Sequence, residues 1–159
     1  MTMNILVLCT GNSARSILLE SILNHTSEGR ITAFSAGSNP TGKVHPQSLK
    51  LLAALGHDIS GARSKSWDEF EGPDAPEMDV VITVCGSAAA ETCPYWPGAP
   101  VRCHWGVEDP ADCTDDCDAA FRSAYEILAR RAAGLLALSP TDMSTSDLKT
   151  ALDALGKMP

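Results

Sequence analysis

The sequence predicts an α/β fold, a four-stranded parallel sheet flanked by helices, and two observations carry the prediction. Four apolar runs of strand length, "NILVL", "ITAFSAG", "DVVITVC" and "PVRCHW", are spaced along the chain. Segments with apolar residues at helical spacing lie between and after them. Strands that alternate with helices pair in parallel, with helices covering both sheet faces. The 159 residues, 44% of them hydrophobic, are enough for one substantial core.

Residues 4–8 read as a short buried strand. From Ser16 to about His25, the residues Ile17, Leu18, Ile22 and Leu23 recur at helical spacing. Residues 31–37 form a second strand stopped at Gly37. Pro46 suits a first helical position and Gly56 a helix stop, so residues 46–55 are predicted as a helix. Residues 79–85 form the third strand, ending in Cys85, and residues 100–105 a weaker fourth. In 118–138, Phe121, Tyr125, Leu128, Ala132, Leu135 and Leu136 share one helical face. Ser144 with Asp147 three residues on marks a last helix start. The division expected is a domain over 1–138 and a short C-terminal helical appendage over 139–159, docked through Leu148, Leu152 and Leu155. The nearest approach to a linker is the Pro-rich "EGPDAPE" at 71–77.

The formal net charge is -8, which argues against nucleic acid or an anionic membrane surface as partner. A site for an anion must then supply its own local positive field. No stretch reads as a signal peptide or membrane span, so the expected location is cytoplasmic. In that compartment six cysteines point to reactive or metal-binding thiols rather than structural disulfides.

The stretch "LCTGNSARS", 8–16, concentrates the chemistry. Ligands of an open parallel sheet sit beyond the carboxyl ends of its strands. Cys9 and Cys85 both fall at such ends and share one crevice in this reading. Residues 10–14 are small, so their backbone N–H groups can turn inward around an oxyanion. The following helix aims its N-terminus at the same point, and Arg15 can fork onto two oxygens of a tetrahedral anion. The same features favour the nucleophilic thiolate, lowering a cysteine pKa to roughly 3.5–7.5 in comparable settings. The alternative is a buried strand-end cysteine and a surface arginine. The strand, small-residue loop, Arg-Ser pair and helix occurring in order favour the functional reading.

These residues resemble the low-molecular-weight tyrosine phosphatase superfamily, with its Cys-x5-Arg-Ser after the first strand. "SAG" at 35–37 and "EDP" at 108–110 stand where that family has its second-strand motif and general-acid loop. The resemblance covers about residues 3–138 and implies a four-stranded parallel sheet. It implies Cys9 as nucleophile, with Thr10, Gly11, Asn12, Ser13, Ala14 and Arg15 binding the anion. It also implies Ser16 hydrogen-bonded to the Cys9 thiolate, Asn12 as a loop brace and Asp109 as general acid.

The residues "VITVCGSAAAETCPYWPGAPVRCHWGVEDPAD" are similar to the arsenate reductases built on this phosphatase fold. They match in the strand-end cysteine, the second cysteine followed by proline, and His-Trp-Gly before Asp-Pro. Ala111 stands where the phosphatases usually carry the Tyr of their phosphotyrosine cleft. The resemblance implies that Cys9, Cys85 and Cys93 pass a disulfide along by thiol–disulfide exchange. No metal or organic cofactor is then expected, only an external thiol reductant: thioredoxin, or glutathione with glutaredoxin. The Cys85–Cys93 spacing is longer than in the thioredoxin-linked members, which leaves the donor open. The alternative function is a low-molecular-weight phosphatase acting on phosphomonoesters, with Cys85 and Cys93 as redox protection. From a different class, the chain could be a non-catalytic oxyanion or arsenical sensor.

Some relatives hold a potassium ion near the anion loop with the help of an Asp. Here the chain reads "RSKSWDEF", which implies that Lys65 puts an ammonium there, close to Asn12, Glu20 and Ser35; the competing reading is a solvated surface lysine. Cys103, His104, Cys113 and Cys117 are zinc-type ligands without a recognised spacing. Adjacent strand residues such as Cys103 and His104 face opposite ways, so no zinc site is expected. His45, His57 and His104, with Trp67, Trp96 and Trp105, read as packing residues.

Overall fold

The computed structural model describes residues 3–70, 74–84, 100–108, 110 and 117–157. Its four strands are β1 (Met3–Leu8), β2 (Ile31–Ala36), β3 (Val80–Thr83) and β4 (Val101–His104). They form one sheet of order β2-β1-β3-β4, parallel at every pairing. The helices are α1 (Arg15–Thr26), α2 (Pro46–Ala54), α3 (Cys117–Leu136) and α4 (Thr145–Leu155), with short 3₁₀ turns at Trp67–Phe70 and Pro140–Asp142. None of the described helices is long and apolar enough to cross a membrane.

β1 and β3 are apolar on both faces because helices cover both. Ile5, Leu6, Val7 and Leu8 are all buried, as are Val80, Val81 and Ile82. That is how a parallel strand without a solvent face reads in sequence. α1 is buried on most of its surface, through Ile17, Leu18, Leu19, Ile22 and Leu23. The face predicted for the long helix is the one α3 uses: Phe121, Leu128, Ala132 and Leu135 are buried. Burying one such side chain is worth about 1.5–3 kcal/mol, so this shared core is the main thing holding the layers together.

The boundaries follow local chemistry. Pro46 opens α2, with the His45 ring accepting from the Gln47 N–H. Gly56, at φ +84°, turns the chain out of the helix where an L side chain would be strained. Ser144 caps α4 by accepting from the Asp147 N–H at 3.1 Å, and Leu148 and Leu152 are buried. α4 packs against β4, the outermost strand, and the indole of the fully buried Trp105 donates to the Leu152 carbonyl at 3.0 Å.

Register lines up the carboxyl ends of the strands. Leu8 pairs with Ala36 on one side and Thr83 on the other, and Thr83 pairs with His104. The Val84 N–H continues the ladder to the Leu8 carbonyl at 3.0 Å. The strand order reverses between β1 and β3, the place where ligand crevices form in open α/β sheets.

Candidate active site

Cys9 leaves β1 at that reversal. It is buried and not disulfide-bonded, and its N–H donates to Ala36 at 3.2 Å. The loop after it is held from outside. The Thr10 carbonyl accepts from the Asn39 N–H at 3.0 Å, the Gly11 carbonyl from Thr41 at 3.0 Å and the Ser13 carbonyl from His45 at 3.0 Å. Hydroxyls add to this, Ser64 donating to Gly11 at 3.1 Å and Ser48 to Ser13 at 3.1 Å. A trans peptide carries its N–H opposite its carbonyl, and no cis bond occurs among the described residues. With those three carbonyls turned outward, the N–H groups of Gly11, Asn12 and Ala14 point to the inner side of the loop.

Helix α1 continues the same donor array. No side chain caps its N-terminus, and no acidic residue sits in its first turn. The helix's own first turn therefore sets no carboxylate against an anion at its leading N–H groups. Arg15, the first residue of α1, donates from Nη1 to the Val107 carbonyl at 2.9 Å. This ties the loop to the chain two positions before Asp109.

Asn12 is fully buried and sits at φ +47°, a left-handed conformation that Asn tolerates better than most residues. Its carbonyl oxygen accepts from the Lys65 backbone N–H at 2.9 Å, and its amide donates to Ser16 Oγ at 2.8 Å. That bond uses a lone pair of Ser16 and leaves the hydroxyl proton free to point elsewhere. Gly37 completes the floor. A Cβ there would overlap the carbonyl oxygens of Cys9 and Thr10, so only glycine lets β2 exit this close to the loop.

Lys65 is buried, not a solvated surface residue. Its ammonium donates to the Arg63 carbonyl at 3.0 Å and to Ser35 Oγ at 3.5 Å, and lies 4.0 Å from Glu20 Oε2. Ser35 in turn donates to Glu20 Oε1 at 2.9 Å. Burial pushes the Glu20 carboxyl up, opposed by Lys65 and Ser35. Burial pushes the Lys65 ammonium down, opposed by Glu20. The potassium ion of some relatives does not fit these residues, because an ammonium already sits among the oxygens.

Cys85, Cys93, Asp109, Cys113, Ala111 and Trp96 lie outside the described residues. Cys103 is buried and free, and burial pushes its thiol up to about 12. It is a core thiol that burial keeps in its unreactive protonated form. Cys117, at the start of α3, is disulfide-bonded, with a partner outside the described residues. Among the described residues no group of three or more His, Cys, Asp or Glu is placed to hold a metal ion.

Several contacts were not visible in the sequence. His57 bonds Ser21 at 2.8 Å and Tyr125 at 2.8 Å and stacks on His25 at 4.0 Å, joining α1 to α3. Arg131 of α3 donates to the Gly106 carbonyl at 3.3 Å, next to the carbonyl Arg15 holds. Nothing periodic marks either pairing. A cavity of about 560 Å³ lies along α1 between Glu20, Ser21, Asn24, His25, Asp58 and Ser60, and none of residues 9–16 lines it.

Comparison with known proteins agrees with this geometry. An arsenate reductase of Halalkalibacterium halodurans is 35% identical over 127 residues, 78% of this chain and 88% of that protein. A glutaredoxin arsenate reductase of Synechocystis is 32% identical over 106 residues, 67% of this chain and 77% of that protein. A solved structure of an arsenate reductase in its phosphate-binding state superposes with a TM-score of 0.71 at 28% identity, covering 86% of this chain and 98% of the other. Residues 4–149 match the low molecular weight phosphotyrosine protein phosphatase family, and the chain belongs to that family.

Proposed function

We propose that this protein reduces arsenate to arsenite with Cys9 as nucleophile. The observation that carries the reading is the loop after Cys9, whose carbonyls at Thr10, Gly11 and Ser13 are all bonded outward. That leaves an inward array of N–H donors in front of a thiol, with the α1 N-terminus behind it. Such an array fits a bare tetrahedral anion and favours a thiolate. The names of the relatives supply the choice of arsenic over phosphorus.

In the first step the Cys9 thiolate attacks arsenic, an As–S bond forms, and an oxygen leaves as water with a proton from Asp109. Arg15 and the loop N–H groups hold the remaining oxygens. In the second step a Cys85 thiolate attacks the Cys9 sulfur. The S–S bond forms, the As–S bond breaks, and its electron pair stays on arsenic, which becomes arsenic(III). Cys85 directly follows Val84, whose N–H bonds the Leu8 carbonyl just before Cys9; this adjacency supports the exchange. Cys93 then attacks Cys85 and frees Cys9. An external thiol donor, thioredoxin or glutathione with glutaredoxin, reduces the last disulfide and is itself oxidised to a disulfide. Regeneration of this kind suits a cytoplasmic location, where thiols are kept reduced.

The test is arsenite formation from arsenate with each donor system in turn, beside p-nitrophenyl phosphate hydrolysis. Arsenite with one donor, abolished by Cys85→Ser, is the expected result. Phosphate release with no arsenite from either donor would instead make the protein a phosphatase. Stoichiometric arsenic(III) binding without turnover would make it a sensor.

A further inference from the structure

We propose that Arg131 is a positioning residue for Asp109, its buried guanidinium holding from α3 the segment that leads to the acid. The proposal rests on the reading of Asp109 as the general acid of arsenate reduction.

The segment after β4 is held from three elements. The Trp105 N–H donates to the Thr83 carbonyl at 2.7 Å and the Val107 N–H to the Val84 carbonyl at 3.2 Å, so the end of β3 grips alternate N–H groups. The carbonyls of Gly106 and Val107 go to two arginines. Arg131 Nη1 donates to Gly106 at 3.3 Å and Arg15 Nη1 to Val107 at 2.9 Å. Arg15 closes the anion loop, and Arg131 sits in the long helix α3. Two successive carbonyls therefore tie the segment to the site on one side and to the core on the other. Asp109 follows two residues after Val107, and Pro110 beyond it is buried. Along the chain, the acid stands between a held residue and a buried one.

A buried arginine on this face of α3 needs a reason. Arg131 lies on the apolar stripe between Leu128 and Leu135 and is 5% exposed, whereas its neighbour Arg130 is exposed. Stripping a guanidinium of water is costly, and an apolar residue would pack on that stripe without the cost. What an apolar residue cannot do is donate to the Gly106 carbonyl. Arginine stays charged throughout the working pH range, and a hydrogen bond from an ionised donor is roughly twice as strong as a neutral one. The benefit of such a bond here is geometric. A general acid works only within hydrogen-bond reach of the oxygen it protonates, and a misplacement of about 1 Å costs on the order of a hundredfold in rate.

The experiment measures arsenite released in a single turnover of the reduced enzyme, without donor, as arsenate concentration is varied. It compares wild type, Arg131→Met and Arg131→Lys, each alone and combined with Asp109→Asn. Arg131→Met is expected to lower the rate at saturating arsenate by about tenfold. The half-saturating concentration is expected to stay near wild type, because the anion loop is untouched. In the Asp109→Asn background the same substitution is expected to make no further difference, since no acid is left to position. Arg131→Lys keeps a charged donor without the fork and is expected to lose about threefold, again only where Asp109 is present. A folded Arg131→Met protein with the wild-type rate overturns the proposal. So does an equal loss with and without Asp109, the mark of a merely structural arginine. If Arg131→Met does not fold, Arg131→Lys decides by the same two criteria. No arsenite from wild type, or a wild-type rate for Asp109→Asn alone, would sink the readings on which the proposal rests, which separates the two kinds of failure.

Discussion

Arg15 Nη1 donates to the Val107 carbonyl at 2.9 Å, so the first residue of α1 also holds the chain that leads to Asp109. Guanidinium has five donors in a planar fork. That fork can match two oxygens of a tetrahedral anion. Lysine keeps the charge but has no fork. Arg15→Lys is therefore expected to lower kcat/KM for arsenate by about a hundredfold or more, with little change in melting temperature. Near-wild-type efficiency would show that charge alone suffices at this position.

Gly37 is where β2 and the loop touch. Alanine there would drive a methyl into the carbonyl oxygens of Cys9 and Thr10, and backbone on both sides must move. Overpacking of this kind costs about 1–3 kcal/mol. Gly37→Ala is expected to lower the urea midpoint and to slow Cys9 alkylation in the folded protein, because the loop is displaced with the strand. Lost stability with unchanged Cys9 reactivity would mean the strain relaxes away from the loop.

The order of strands and helices was legible because each carries its own period and punctuation. Continuous apolar runs marked β1 and β3, and Pro46, Gly56 and the Ser144–Asp147 pair marked helix ends. The small-residue loop between Cys9 and Arg15 was legible for the same reason, since its chemistry is local. What the sequence did not show comes from partners far apart in it. Asn12 with Lys65, Arg15 with Val107 and Arg131 with Gly106 depend on tertiary placement that no short window encodes. The resemblance to relatives pointed to Lys65, whereas composition alone gave a solvated lysine equal standing. The burial of Cys103 is equally hidden from a short window. A β4 position alternates in exposure, and only the packing of α4 reveals that this one is covered.

That cover makes Cys103 unreactive. With the thiol pushed up to about 12, by burial first and by Asp153 second, thiolate is scarce at neutral pH, and iodoacetamide reacts with thiolate. Cys103 is expected to stay unlabelled at pH 8 in the native protein and to label in denaturant. Cys103→Ala should keep arsenate turnover and cost about 1–2 kcal/mol of stability. Native labelling of Cys103 would show that α4 opens readily.

His57 gives the protein a pH dependence of stability. Burial and the stacked His25 hold its ring below the ordinary 6.5, so the folded state takes up its proton less readily than the unfolded chain. The stability of the neutral ring is full above about pH 6.5 and is lost as pH falls through the lower folded value. The groups facing it are His25 and Ser21 on α1 and Tyr125 on α3. His57→Gln loses geometry for the Ser21 and Tyr125 bonds, worth about 1–2 kcal/mol, at pH 7.5. Its deficit relative to wild type should narrow at pH 5.5, where the wild-type ring is being protonated at a cost. Melting curves at both pH values read this directly, and a deficit that widens on acidification contradicts it.

Trp105 ties α4 to the edge of the sheet. The indole donates to the Leu152 carbonyl, which also accepts from the Gly156 N–H. Trp105→Phe therefore leaves that carbonyl partnered and should cost only about 1 kcal/mol. Removing α4 altogether is a larger step. β4 is an edge strand of the sheet, and an uncovered edge offers unpaired N–H and C=O groups to another chain. A chain ending at Leu138 also uncovers the fully buried Trp105. It is expected to associate as concentration rises, seen by light scattering, while Cys9, just beyond the inner strand β1, keeps arsenate turnover at low concentration. A truncated chain that stays monomeric would show that β4 needs no cover, and loss of turnover in a folded monomer would show that α4 reaches the site.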